Sequence, residues 1–288
     1  MRVITKFLTT AALLLMGSSS VAHAGVLYGL TGSSRGGGPA NLYRLNHNTG
    51  QATFVGSTRQ SSMRGFTIDH TTGRAFASHT SLGGLWEISL ATGIATQLSS
   101  GSGPRFREMV VDGNGDLYGY TSRREGFYDY FRIDKSTGQQ TLINPNSPVS
   151  ASLWSVSYSA VTDQLVFLDG SRLGIINSLD GRLASTRSLQ GFSWRPWSAI
   201  DENGDIYHVD RFQSRGLYRL NRNGSSNYFN SFSGGTTRLG THGQNFAGLA
   251  FNNFTPPPPN SGVVPEPTSF ITLGALFTPL GLIRRRKT

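Results

Sequence analysis

Phe246-Ala-Gly-Leu-Ala-Phe251 is an apolar run near the end of the chain's repeated part, and its position decides the fold. Four similar runs stand earlier: Phe66-Thr-Ile-Asp69, Met109-Val-Val-Asp112, Trp154-Ser-Val-Ser-Tyr158 and Trp197-Ser-Ala-Ile-Asp201. Each of these four precedes a second run: Ala75-Phe-Ala-Ser78, Leu117-Tyr-Gly-Tyr120, Leu165-Val-Phe-Leu168 and Ile206-Tyr-His-Val209. A fifth copy of the second run, Leu27-Tyr-Gly-Leu30, has nothing before it. Its missing partner is the run at Phe246–Phe251, at the other end of the repeat.

The rest of the repeat follows in order. A third run (Leu42-Tyr-Arg-Leu45, Leu85-Trp-Glu-Ile88, Tyr130-Phe-Arg-Ile133, Leu173-Gly-Ile-Ile176, Leu217-Tyr-Arg-Leu220) leads to a Thr-Gly or Asp-Gly turn and a fourth. Thr49-Gly50-Gln-Ala-Thr-Phe-Val55 and Thr92-Gly93-Ile-Ala-Thr-Gln-Leu98 are examples of that turn and fourth run. The second runs are spaced 48, 42, 48 and 41 residues apart. Period-2 alternation bounded by turn residues is the signature of hairpins. Four short strands in each repeat of this length is the arithmetic of a propeller blade. The chain is therefore expected to be all-β, a five-bladed β-propeller over residues 25–254. The run at Phe246–Phe251 should form the innermost strand of the first blade, so that the two ends of the fold close the ring and leave no free sheet edge there. A β-sandwich or open meander is the rival architecture, and it does not explain the displaced run. The blade pattern also resembles NHL- or YVTN-like propellers, a likeness of fold that fixes no function.

Composition fits this reading. The 288 residues include 36 Gly, about twice the usual share, and 11% are aromatic, so tight turns and a packed core are both expected. With no cysteine, a disulfide framework, a thiolate zinc site, an iron–sulfur cluster and a cysteine nucleophile are all excluded. The net charge of +10 is partly an end effect. Arg2, Lys6, Arg284, Arg285, Arg286 and Lys287 supply six of the 26 basic residues and Glu266 one of the 16 acids. That leaves 20 against 15, a body near +5 in which Lys135 is the only lysine.

The ends are addresses. Residues 1–24 combine a basic start, the apolar run Phe7–Met16 and small residues at Ala22 and Ala24, the pattern of a Sec-type signal peptide with cleavage after Ala24. Residues 255–262 hold four consecutive prolines, an extended spacer. Residues 263–288 then carry Pro265-Glu266-Pro267, an apolar segment at Phe270–Ile283, and the cluster Arg284-Arg285-Arg286-Lys287. This order resembles the PEP-CTERM sorting signal. The resemblance implies a single hydrophobic helix in the inner membrane, its basic end cytoplasmic, and recognition of the tripeptide by a membrane exosortase. It further implies delivery to the cell surface of a Gram-negative, exopolysaccharide-producing bacterium. The positive-inside rule agrees with that orientation. The apolar segment, 14 residues and about 21 Å long as a helix, falls short of a hydrocarbon core of about 30 Å, which suits a transient stop.

Chemistry is harder to find. Asp112-Gly-Asn-Gly-Asp116 and Asp201-Glu-Asn-Gly-Asp205 imitate the start of a calcium loop, but position 6 after Asp112 is Leu117 and position 12 is Arg123. A hairpin turn explains both segments better. His47, His70, His79, His208 and His242 form no close ligand pair. No nucleophile elbow, phosphate loop or paired acids appear. No catalytic residue, metal or cofactor is expected, and nucleic acid is not the expected partner.

One pattern survives. The turns joining the first strand to the second, and the third to the fourth, share one face of a propeller; the remaining connections share the other. Sorted this way, the first face collects Asp69, Asp112, Asp116, Asp134, Asp201 and Asp205. The second collects Arg64, Arg105, Arg107, Arg172, Arg195, Arg211 and Arg215, with Phe106, Trp154, Trp194 and Trp197. Guanidinium pairs bidentately with carboxylate or sulfate, and indole stacks on sugar rings. Arg64, Arg105, Arg107, Trp154, Trp194, Arg195 and Arg211 are the candidate ligand-binding residues, with acidic exopolysaccharide the expected partner. A structural spacer of the matrix and a glycan-active propeller enzyme are the alternatives. For the enzyme, Glu108 and Asp210 are the only acids expected near the mouth on this face.

Overall fold

The computed structural model describes residues 25–32, 38–99, 103–122, 127–144, 149–150, 155–169, 172–189, 197–209, 215–223, 225 and 229–254. The leader with Ala22 and Ala24, the proline spacer, and the sorting segment with Pro265, Glu266, Pro267, Arg284, Arg285 and Arg286 lie outside the described residues.

The described chain forms a five-bladed β-propeller. Blade 1 runs from the axis outward as β21 (Phe246–Asn252), β1 (Val26–Thr31), β2 (Asn41–Leu45) and β3 (Ala52–Ser57). Blade 2 is β4 (Met63–Ile68), β5 (Ala75–His79), β6 (Gly83–Ile88) and β7 (Ala95–Gln97). Blade 3 is β8 (Glu108–Val111), β9 (Leu117–Ser122), β10 (Phe127–Ile133) and β11 (Gln140–Leu142), with β12 (Val149–Ser150) also on β10. Blade 4 is β13 (Ser155–Ser159), β14 (Gln164–Asp169), β15 (Arg172–Ile176) and β16 (Leu183–Ser188). Blade 5 is β17 (Trp197–Ile200), β18 (Ile206–Val209), β19 (Gly216–Arg222) and β20 (Phe232–Thr241). The inner strands β21, β4, β8, β13 and β17 neighbour one another in a closed ring.

The displaced run behaves as its position in the sequence dictates. β21 pairs antiparallel with β1, Leu27 opposite Phe251 and Gly29 opposite Leu249. The sequence did not reveal β20, whose approach is a 3₁₀ turn at Phe229–Ser231 instead of the Thr-Gly turn of the other blades, nor the two-residue β12.

Alternation along each strand distributes the core among the seams. Side chains on one face of a blade meet the blade before it and those on the other face the blade after it. Five apolar clusters result, one for each seam. Tyr28, Leu30 and Leu42 meet Phe66, Ile68 and Trp86 between blades 1 and 2. Leu27, Leu45 and Phe251 meet Trp197, Tyr207 and Val209 between blades 5 and 1, where the ring closes. The remaining seams bury Phe76 with Phe106, Tyr130 with Phe167, and Leu168 with Phe232.

Polar contacts reinforce the seams. Between blades 4 and 5, the Ser198 amide and hydroxyl each donate to Ser155 Oγ at 2.8 Å. The Thr-Gly turns explain their glycines: Gly50, Gly93 and Gly138 have φ of 70°, 75° and 69°, a region that favours glycine. Gly93 also packs backbone to backbone against Gly56 of blade 1, and Gly50 against Gly240 of blade 5.

Candidate functional site

Inner strands run from the arginine-bearing face to the opposite face, so residues at their starts gather around the ring's mouth on the arginine side. Arg64 lies near the start of β4 and Glu108 opens β8, one blade away, with Arg107 just before it. Local backbone sets their approach. β4 is bulged between Arg64 and Thr67, and Gly65 there has φ of 60°. A Cβ on Gly65 would stand 3.4 Å from the Glu108 carbonyl carbon, so the two inner strands come close at this point.

Glu108 is 3% exposed, and its Oε1 has no hydrogen-bond partner among the described residues. Burial pushes its carboxyl well above the usual carboxylate range, outweighing the nearby charges of Arg107 and Arg64, which pull it down. The Arg107 amide donates to the Tyr120 carbonyl at 2.7 Å, and its guanidinium Nη1 reaches Tyr128 Oη at 3.5 Å. Arg64 is half-buried, and its guanidinium is held below its ordinary pKa by that burial and by the charge of Arg107, with Glu108 partly compensating. Two cations thus share a desolvated corner with a carboxyl biased toward its neutral form. An incoming carboxylate or sulfate would relieve the repulsion between the arginines and give the carboxyl an acceptor for its proton.

The other candidates fare differently. Arg105 is exposed on the connection into β8. Trp154, Trp194, Arg195 and Arg211 lie outside the described residues, as does Asp210. Trp197 and Phe106 are not on the face: they are 3% and 1% exposed and fill the 5–1 and 2–3 seams, because an inner-strand aromatic finds more apolar surface there than at a wet mouth. Arg172 is taken up by an ion pair with Asp169, and Arg215 donates to the Gly243 carbonyl at 3.0 Å.

On the opposite face the acids serve the fold. Asp112 Oδ1 accepts from the amides of Asn114 and Asp116 at 3.0 and 2.9 Å, and Asp201 Oδ1 from those of Asn203 and Asp205 at 3.0 and 2.7 Å. These are turn caps, and they account for the calcium-like spacing. The same face holds the rim of an axial cavity of about 260 Å³, walled by Phe66, Val110, Val156, Ala199 and Leu249. His70 of blade 2 reaches across this rim to stack on Tyr158 of blade 4, centroids 4.8 Å apart and rings 9° from parallel. The sequence gives a weak signal of this feature: a histidine in an inner turn and a tyrosine at the end of an inner run.

No protein-family model and no curated protein matches the chain. Among solved structures, it is similar to a chain of the nidogen/laminin complex at 12% identity and a TM-score of 0.50, over 80% of this chain and 98% of that one. It is also similar to TolB from Acinetobacter baumannii at 13% identity and a TM-score of 0.50, over 79% of this chain and 66% of that one. At these identities the similarity shows the propeller fold and nothing of its use.

Proposed function

We propose that this propeller is an exported, non-catalytic protein of the cell envelope or extracellular matrix that binds acidic exopolysaccharide at its arginine-rich mouth. The observation that carries this reading is the close approach of β4 to β8 at Gly65 and Glu108, which brings the charges of Arg64 and Arg107 to bear on the buried Glu108 carboxyl. Two guanidinium groups match the geometry and charge of a uronate or sulfate, and a neutral carboxyl adds a donor that a carboxylate would not. Export rests on the leader at 1–24. Surface delivery rests on the resemblance of 263–288 to a PEP-CTERM signal, with an exosortase as the processing partner and the tail as the only membrane contact.

The test is retention on acidic and neutral polysaccharides across a salt series. Acidic chains are expected to bind, less so as salt rises. Joint replacement of Arg64 and Arg107 by Ala should abolish that binding, and undiminished retention would sink the proposal. Glu108 favours a second reading, a propeller enzyme acting on uronate-containing glycans, because a buried acid with a raised pKa is what proton donation to a leaving group requires. Release of shortened sugar chains on incubation would favour it.

A further inference from the structure

Gly25 is the first described residue, and it is buried. Its nitrogen donates to Glu202 Oε2 at 3.2 Å, across the seam at which the ring closes. Glu202 lies in the turn between β17 and β18 of blade 5, whereas Gly25 immediately precedes β1 of blade 1. Asn253, directly after β21, completes the surroundings. A Cβ on Gly25 would fall 1.9 Å from Asn253 Oδ1 and 3.2 Å from Glu202 Oε2, so both side chains stand close around this residue. Asn253 Oδ1 is buried and has no hydrogen-bond partner among the described residues.

A peptide nitrogen suits this pocket poorly. It has one hydrogen, which Glu202 takes, and no charge to set against the carboxylate. Asn253 is then left a buried acceptor without a donor, an unfavourable condition. A free α-ammonium at the same position has a full charge and three hydrogens, enough for both acceptors.

We infer that the pocket formed by Glu202 and Asn253 is a docking site for the chain's own α-ammonium group, created when the leader is cut between Ala24 and Gly25. This inference rests on the export reading, for only that cleavage makes Gly25 the first residue. Cleavage turns an amide hydrogen bond into an ion pair at the seam between blades 5 and 1, beside the β21–β1 pairing that closes the ring without a covalent link. The pair ties blade 5 to both strands, β1 and β21, through which blade 1 closes the ring. The propeller is thus locked after export rather than before it.

The sign of the pH dependence follows. An α-amino group ordinarily titrates near 8 and a carboxylate partner raises that value. The ion pair's contribution is therefore complete below about pH 8 and lost as pH rises through the folded-state value. Other titratable and charged groups of this region are Asp201 and Asp205 on the Glu202 turn, Arg219 and Arg222 paired with Asp205, His47 of blade 1, Tyr207 of blade 5, and His70 of blade 2, which lines the same cavity as Glu202 and Asn253. They are common to every chain compared below and cancel in the difference.

The experiment compares the chain Gly25–Thr288 in detergent with the same chain retaining Ala24, each with Glu202 intact or as Glu202→Gln. At pH 7 the chain that starts at Gly25 should melt about 2–4 °C higher, the shift expected for a partly exposed ion pair in a domain of this size. The advantage should vanish at pH 10 and in Glu202→Gln. Equal melting of the two Glu202 chains at pH 7, or a difference that survives Glu202→Gln, overturns the docking site. Sequencing the amino terminus of the exported protein separates the two readings. A first residue other than Gly25 overturns the cleavage position and with it this role of the amine, whatever the melting comparison shows.

Discussion

The ammonium of Lys135, the only lysine of the body, donates to the fully buried carboxylate of Asp69 across the seam between blades 2 and 3. Burial alone would push the Asp69 carboxyl up. Hydrogen bonds from Lys135, Thr71 and Thr72 outweigh it and hold the group down at about 2. Its folded-state value lies below the unfolded one, so its contribution to stability is present above roughly pH 4 and lost as pH falls through about 2. Lys135→Met removes the largest of these donors and strands a buried charge. Urea unfolding at pH 7 should show a loss of about 2 kcal/mol, and acid unfolding should begin at a higher pH than in the parent.

Gly56 and Thr92 make a second seam testable. A Cβ on Gly56 would lie 1.8 Å from the Thr92 carbonyl oxygen, and both partners are backbone, so neither can swing aside. Gly56→Ala should lower stability by about 1–3 kcal/mol through forced separation of blades 1 and 2. Gly38→Ala, with no atom within 4 Å of the added carbon, should stay within about 0.5 kcal/mol of the parent. Thermal midpoints of the two variants check the contrast.

The serine contact between blades 4 and 5 supports a third expectation. Ser155 Oγ is the acceptor for both the Ser198 amide and the Ser198 hydroxyl, and both residues are buried. Ser155→Ala leaves that amide without its acceptor, a loss of about 1–3 kcal/mol. Ser157→Ala should cost less, because Ser157 is half-buried and its hydroxyl is one of two donors to the Ser198 carbonyl. Amide hydrogen exchange at Ser198 should accelerate in the first variant only.

The ring and its closure were legible because both are written along the chain: period-2 runs, turn glycines and one run displaced from the front to the back. The sorting of charge by face was legible for the same reason, since connections alternate between faces whatever the side chains do. The candidate site was legible only in part. Counting along the repeat puts Arg64 and Arg107 on one face, but their approach to Glu108 depends on the bulge at Gly65 and on how near β4 comes to β8, which no local pattern records. Trp197 and Phe106 were misplaced because an aromatic at the start of an inner strand has the same spacing whether it turns to the mouth or into a seam. Lys135 and Asp69 belong to different blades, so their pairing is a property of the ring and not of either repeat.

Glu108→Gln distinguishes the binding reading from the enzymatic one. Burial holds the Glu108 carboxyl well above its ordinary value, so the folded state carries a proton that the unfolded state releases at lower pH. Folding stability should therefore fall as pH rises from the unfolded-state value, about 4.3, toward the folded one. Glutamine has the same shape and cannot ionise, so the variant should lose this decline and be at least as stable as the parent at neutral pH. Its amide still offers a donor to a ligand carboxylate beside Arg64 and Arg107. If the mouth is a binding site, retention of acidic polysaccharide should survive Glu108→Gln and disappear only when the arginines are replaced. If Glu108 is a general acid, glycan cleavage should fall by about 100-fold or more with binding preserved, because an amide cannot deliver the proton. A pH titration of unfolding together with a cleavage assay on the one variant decides between them.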